Sequence, residues 1–210
     1  MGFGSKEAAG NPHWDQRYAV DDYVFGTEPN AFLAAQGHRL AAGMRALAVA
    51  DGEGRNGVWL ARQGLDVVSM DASAVGLEKA RKLAAANDVE LKTVLADIGD
   101  FDWEPARFDV VVAIFVQFAA PALRAAMFTG MQQALRPGGL LLLQGYRPEQ
   151  LAYRTGGPSA IENLYTTELL RSAFAEMTIE HLREHDSEIS EGHGHRGMSA
   201  LIDLVVRKQP

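Results

Sequence analysis

The chain has 210 residues, 47% of them apolar and 22% charged, which suits one globular domain and rules out intrinsic disorder. Lys and Arg number 20 against 27 Asp and Glu, a formal charge of −7 that disfavours partners needing a basic surface, such as nucleic acid or an anionic membrane. Cysteine is absent, which excludes disulfides, thiolate nucleophiles, iron–sulfur clusters and Cys-ligated zinc, and fits a cytoplasmic protein.

Met1 to Gly10 carries one Lys and no apolar stretch, so it does not read as a signal peptide, and the Ser5-Lys6 spacing misses the myristoylation pattern. Residues 1–44 are expected to form a helical cap segment, with a helix near Asn30 to Ala42 after the turn-prone Gly26-Thr27-Glu28-Pro29. Residues 45–210 are expected to form the core of a single domain. In it, short apolar runs alternate with helix-like stretches. Ala46 to Ala50 is a strand closed by Asp51-Gly52, and Gly54 to Gln63 a helix ending at Gly64. Asp66 to Met70 is a strand ended by Asp71, and Ser73 caps a helix to about Asn87, with Glu78 and Lys79 on its exposed side. Leu91 to Leu95 is a third strand. Asp109 to Val116 is almost wholly apolar, the mark of a strand buried on both faces, and the longest apolar run, Val110 to Ala120, is too short to span a bilayer. A helix runs from Pro121 to about Leu135, is broken by Arg136-Pro137-Gly138-Gly139, and is followed by a strand over Leu140 to Gln144. Alternating strands and helices predict a doubly wound α/β sheet. Thr166 to Ala175 reads as a helix. Thr178 to Ile189 and Met198 to Arg207 read as an antiparallel pair joined by Glu191 to Gly197.

The strongest local signal is Asp51-Gly52-Glu53-Gly54-Arg55-Asn56-Gly57 between a strand and a helix. Glycines let the backbone turn sharply and approach a ligand, and the helix start behind them offers free N–H groups. A carboxylate at Asp71, ending the next strand, can accept both hydroxyls of an adenosine ribose. Gly52, Gly54 and Gly57 also satisfy the dinucleotide pattern, so by that pattern alone NAD is open. Ala96-Asp97-Ile98, Leu135-Arg136-Pro137-Gly138-Gly139 and the closing antiparallel pair argue the other way.

With these segments in hand, the chain resembles the class I S-adenosylmethionine-dependent methyltransferases, and most of all the small subgroup of tellurite-resistance-type and thiopurine-type enzymes. LAVADGEGRNGVWLA is similar to the family's first motif and VVSMDAS to its ribose-binding second. LADIGDF is similar to the adenine-binding third, FDVVVAIFVQF to the fourth and LRPGGLLLL to the fifth. WDQRY and YVFGTEPNAFL are similar to the subgroup's N-terminal segment. The resemblance implies a seven-stranded Rossmann-like sheet of order 3-2-1-4-5-7-6 with the last strand antiparallel. It implies S-adenosyl-L-methionine as cofactor, with Gly52 and Gly54 beside its methionine portion. Asp71, followed by Ala72, would stand at the ribose, Asp97 and Ile98 at the adenine, and Phe115 on the methyl-transfer side. The family often carries an acid where this chain has Ala48 and a Gly where it has Ala50, so Asp51 or Glu53 is the candidate contact to the ammonium.

Trp14, Tyr18, Tyr23 and Phe25 could roof the cofactor through cation–π contact, or simply pack a helix on the sheet. Arg17 could pair with the methionine carboxylate. In the Glu191 to Gly197 loop, His195 is the candidate proton acceptor, with Glu191, Arg196 and Tyr23 as candidate substrate contacts; a solvated turn is the competing reading. No metal site is expected, because His193 and His195 have no third ligand at fixed spacing. His181 and His185 share one side of their strand and read as surface residues. The expected function is methyl transfer to a small-molecule acceptor. The alternatives are an NAD(P)-dependent oxidoreductase and a noncatalytic nucleotide- or S-adenosylmethionine-binding module.

Overall fold

A computed structural model describes residues 10–210, so the reading of Met1 to Gly10 as lacking a leader lies almost wholly outside the described residues. Seven strands form one sheet: β1 (Arg45–Val49), β2 (Asp66–Asp71), β3 (Lys92–Leu95), β4 (Phe108–Ile114), β5 (Leu135–Tyr146), β6 (Met177–Glu191) and β7 (His195–Lys208). Their order is β3-β2-β1-β4-β5-β7-β6. The first five strands pair in parallel, and β7 runs antiparallel between β5 and β6. Order and direction match the expectation.

Among the described residues seven α-helices flank the sheet: α1 (Pro12–Tyr18), α2 (Ala31–Ala35), α3 (Arg55–Arg62), α4 (Ala74–Ala86), α5 (Pro121–Ala134), α6 (Gln150–Tyr153) and α7 (Thr167–Ala173). Strand alternation sorts the core into two layers. Leu47, Val49, Val111, Leu141 and Leu204 face Met127, Phe128 and Met131 of α5 and Leu170 of α7. Ala46, Ala48, Val110, Leu142 and Val205 face Phe32 and Leu33 of α2 and Leu60 of α3. β4 is buried along nearly its whole length, which its unbroken apolar run requires.

Several boundaries differ from the sequence reading, each for a local reason. The helix expected over 30–42 is only α2 and a 3₁₀ turn, Gly37–Arg39. Gly37 costs about 1 kcal/mol of helix propensity there, and Leu40 leaves in an extended conformation. Arg136-Pro137-Gly138-Gly139 does not precede β5 but bulges from it: Leu135 pairs with Phe108 and Leu140 with Val110. Ser73 caps α4 as expected, its hydroxyl accepting from the Gly76 amide. Lys79 is not on an exposed side; it reaches Glu53 at 2.7 Å. The hairpin turn is confined to residues 192–194, because Glu191 pairs with His195 and the strands extend through most of the expected loop. His185 is likewise not a plain surface residue, since its Nε2 lies 2.9 Å from Asp203.

No helix among the described residues is long and apolar enough to cross a membrane.

Candidate active site

The C-terminal ends of β1, β2, β3 and β4 open on a cavity of about 460 Å³, within the range of small-molecule sites. Its floor is the turn after β1. Ala50, Gly52 and Gly54 all take left-handed φ, at 48°, 59° and 88°. Gly54 has no alternative, because a Cβ there would lie 2.5 Å from the Ala80 Cβ and 2.8 Å from its Cα. At Gly52 a Cβ would strike the Tyr18 hydroxyl. Ala50 stands where the resembled family has Gly, and it bears that strain with its Cβ in place.

Three carboxylates fix this floor. Asp71 accepts hydrogen bonds from the Gly52 and Ser73 amides, each at 2.8 Å, and so pins the turn to the end of β2. Burial raises its pKa to about 6, against the lowering effect of those amides. Asp51 turns toward α3 and accepts from the Gly57 amide at 3.2 Å and the Ser69 hydroxyl at 2.8 Å. It too is raised by burial, to about 7. Glu53 is buried and bound to Lys79 and the Phe25 amide.

The roof over this floor comes from the N-terminal segment. Asp15 receives the Ser73 hydroxyl at 2.6 Å and the Val75 amide at 3.2 Å, and the Asn11 amide reaches the Ala72 carbonyl at 2.8 Å. These bonds seat α1 on the start of α4. Trp14 and Tyr18 stack at 5.7 Å, Phe118 meets the Trp14 edge, and the Arg17 guanidinium lies 5.5 Å from the Trp14 ring and 5.2 Å from Phe25.

The opposite end is built from the hairpin. The Gly194 amide donates to the Val24 carbonyl at 2.9 Å, and a Cβ on Gly194 would collide with the Phe25 ring. The tip therefore packs on the roof segment instead of projecting into solvent. His195 is ringed by Phe25 and Phe115, each at 4.5 Å, and by Tyr146 at 5.9 Å. Phe115 also holds a left-handed φ of 56° and stacks on Tyr146. The Tyr146 hydroxyl and the His195 Nδ1 are buried without a hydrogen-bond partner among the described residues. Behind His195, Glu191 Oε2 lies 3.6 Å from that Nδ1 and accepts from Arg55 Nη2 at 2.6 Å. Asn30 Nδ2 donates to Glu191 Oε1 at 2.9 Å and to Gln144 Oε1 at 2.7 Å, and Gln144 donates onward to Asp203 at 2.6 Å. Burial alone would raise the Glu191 carboxyl, but His195 and the Arg55 guanidinium outweigh it and hold it at about 2. Burial pushes His195 below its ordinary value, Glu191 opposing and the Arg55 and Arg17 charges assisting. Tyr146 is raised by burial and stays protonated at neutral pH.

Of the residues picked from the sequence, Trp14, Arg17, Asp51, Gly52, Glu53, Asp71, Ala72, Asp97, Ile98, Phe115 and His195 line the cavity. Gly54 lies beneath it and shapes the turn. Tyr23 does not line it; its hydroxyl donates to the Lys79 carbonyl and its ring packs near Val58 and Leu83. Arg196 does not either, because strand alternation turns it to the face opposite His195, where it is exposed. Glu191 stands behind the lining, one contact removed. Sequence reasoning missed Asn11, Gln117, Phe118, Tyr146 and the Gly156-Gly157-Pro158 loop, all of which line the cavity. Gly157 was the available signal: its left-handed φ of 82° lets the loop lie on the Tyr146 ring, where a Cβ would come within 2.8 Å.

Residues 46–139 match the model of a methyltransferase domain family. Carboxy-S-adenosyl-L-methionine synthase of Aliivibrio fischeri is 36% identical over 84 residues, 39% of this chain and 34% of that protein. The chain thus aligns with about a third of the length of the curated relatives it matches. Among solved structures, one concerned with conversion of a disulfide bond into a thioacetal group during echinomycin biosynthesis superposes with a TM-score of 0.77 at 20% identity, covering 94% of this chain and 91% of that one. TehB from Haemophilus influenzae superposes at 0.70 and 16% identity, covering 94% and 66%. The motif resemblance therefore holds for the segment that bears it: residues 46–139 match a methyltransferase domain, on a sheet of the order and direction that the resemblance implies.

Proposed function

We propose that the chain is an S-adenosylmethionine-dependent methyltransferase acting on a small-molecule acceptor in the cytoplasm. The observation that carries this reading is Asp71. It stands at the end of β2, lines the cavity, and is bonded to the amide of the glycine turn that forms the cavity floor. Each of its oxygens keeps a lone pair for a ribose hydroxyl. The matched relatives named for carboxy-S-adenosyl-L-methionine share a segment of the chain, which supports the cofactor more than any acceptor.

The residues present fit the cofactor. Asp97 and the Ile98 amide suit the adenine, and the Ala50 to Gly54 backbone suits the methionine portion. Trp14 and Phe25 offer ring faces to a sulfonium, and Arg17 offers a carboxylate partner beside them. Glu53 is held by Lys79, so Asp51 and Glu53 shape the turn first, and an ammonium contact falls to backbone carbonyls or to Asp51. Bound S-adenosylmethionine supplies a methyl group on a positively charged sulfur. The protein's own work is to hold donor and acceptor in line and exclude water, which the roof and hairpin support.

Calorimetry tests the reading. S-adenosylmethionine should bind and NAD should not. Asp71→Ala should weaken binding by about 10- to 150-fold, the loss of hydrogen bonds to a charged group. Asp97→Ala should weaken it less, and Asp97→Asn least, because Asn keeps an acceptor. NAD binding without S-adenosylmethionine binding would favour an oxidoreductase instead.

A further inference from the structure

The hairpin end of the cavity holds a buried charge arrangement that cofactor binding does not require. Glu191 is fixed from two sides, by Arg55 at 2.6 Å and by Asn30 at 2.9 Å. Asn30 is itself fixed, since its side-chain oxygen caps α2 through the Leu33 amide and its amide nitrogen also reaches Gln144. The carboxylate therefore cannot swing away, and its Oε2 faces His195 Nδ1 at 3.6 Å. That separation exceeds a hydrogen bond, but such contacts often shorten when substrate closes a site. Nδ1 is shut off from solvent and has no hydrogen-bond partner among the described residues. A lone pair on Nδ1 would point at a carboxylate, whereas an N–H there would be attracted. The neutral ring should therefore carry its proton on Nδ1 and leave Nε2 bare, on a ring that lines the cavity.

Building on the methyltransferase reading, we propose that Glu191 is a positioning residue. It holds His195 with Nε2 unprotonated toward the acceptor, so that the acceptors are small molecules bearing an O–H or N–H at the reacting atom. The acceptor's lone pair forms the new bond to the methyl carbon as the carbon–sulfur bond breaks, its electrons going to sulfur. The acceptor proton passes to Nε2. The imidazolium so formed is balanced by Glu191, and it returns the proton to water after product leaves. The charged and titratable groups facing the ring are Glu191 from β6, Arg55 from α3, Arg17 from α1 and the Tyr146 hydroxyl from β5. Burial and the two guanidiniums keep the ring neutral at pH 7, in the form that accepts a proton.

The test is nitrogen NMR of the histidine rings in the full chain, with His195→Gln identifying the His195 signals among the six histidines. The parent should show a protonated Nδ1, a bare Nε2 and a titration midpoint below the ordinary value of about 6.5. Glu191→Gln removes the charge that favours the imidazolium, so its midpoint should fall further, by about one pH unit, and its two tautomers should mix. A proton on Nε2 in the parent, or an unmoved midpoint in Glu191→Gln, overturns the proposal. The acceptor class is checked with iodide, a soft anion with no proton to lose. Incubation with S-adenosylmethionine and iodide should yield no methyl iodide above the protein-free background, and enzymatic formation of it overturns the O–H or N–H requirement. Calorimetry on the same samples separates the two readings: failure of the parent to bind S-adenosylmethionine sinks the methyltransferase assignment, while the tautomer result judges the His195–Glu191 arrangement.

Discussion

The two ends of the cavity are held together by different kinds of bond. At the β1–β2 end the important groups are backbone amides and left-handed turns, with Asp71 bridging residues 52 and 73 across short stretches of chain. At the hairpin end the contacts run from side chain to side chain across the sequence. Asn30 joins Gln144 and Glu191, and Arg55 joins Glu191. The first end is a shape the backbone must take. The second is a set of polar groups that satisfy one another, where removing one leaves its partners unpaired. Under the proposed function, the first construction would hold the cofactor and the second would border the acceptor.

Substitutions can break or sharpen that contrast. The largest effect should come from Gly54→Val, which puts a Cβ against Ala80 at a φ of 88°. Left-handed strain and overpacking together cost roughly 4 kcal/mol, which should lower Tm by about 8–16 °C in thermal melts. Asn30→Ala comes next. It strips Gln144 and Glu191 of a buried donor and α2 of its cap, a loss of about 3 kcal/mol. Its affinity for S-adenosylmethionine should nevertheless match the parent by calorimetry, and a tenfold loss there would show the two ends to be coupled.

Asp51→Asn tests the buried carboxylate of the first end that turns toward α3. Asp51 ionises near pH 7 in the folded chain and near 4 when unfolded, so the folded state holds the proton longer. Its contribution to stability is fully present below about pH 4 and is lost as pH rises through about 7. Asparagine keeps an acceptor for the Gly57 amide without the charge. Above pH 7 the variant should therefore be more stable than the parent, by on the order of 1–2 kcal/mol, and its Tm should vary less between pH 4 and 7. A parent that melts at one temperature across that range would remove this role from Asp51.

The first end was readable in the sequence because its causes are local. Gly52 and Gly54 mark a turn, Asp71 ends an apolar strand, and Ser73 precedes a helix, so each residue type states its own reason. The sheet order followed from the motif resemblance, and the closing antiparallel pair from two strand-like segments without a helix between them. The hairpin end was less readable. His195 was found because it is titratable and Phe115 through the motif resemblance, but Tyr146 was not, because its meeting with them depends on β5 lying beside β4 and β7. Tyr23 and Arg196 show the limit from the other side. Each is a suitable residue near the right motif, and each is turned away, one by packing near Val58 and the other by strand alternation.

The position of β7 has a consequence for synthesis. Although β7 follows β6 in the chain, it is not at an edge: it inserts between β5 and β6, pairing Leu140 to Tyr146 on one side and Met177 to Glu191 on the other. As the chain leaves the ribosome, residues 45–146 can already form five parallel strands, but the Leu140 to Leu143 flank of β5 stays uncovered and β6 has nothing to pair with. The nascent protein must therefore pass through a stage with an apolar open edge, the form most prone to join a neighbouring chain. Slowing the synthesis of residues 195–208, or deleting them, prolongs that stage without removing any residue of the first five strands.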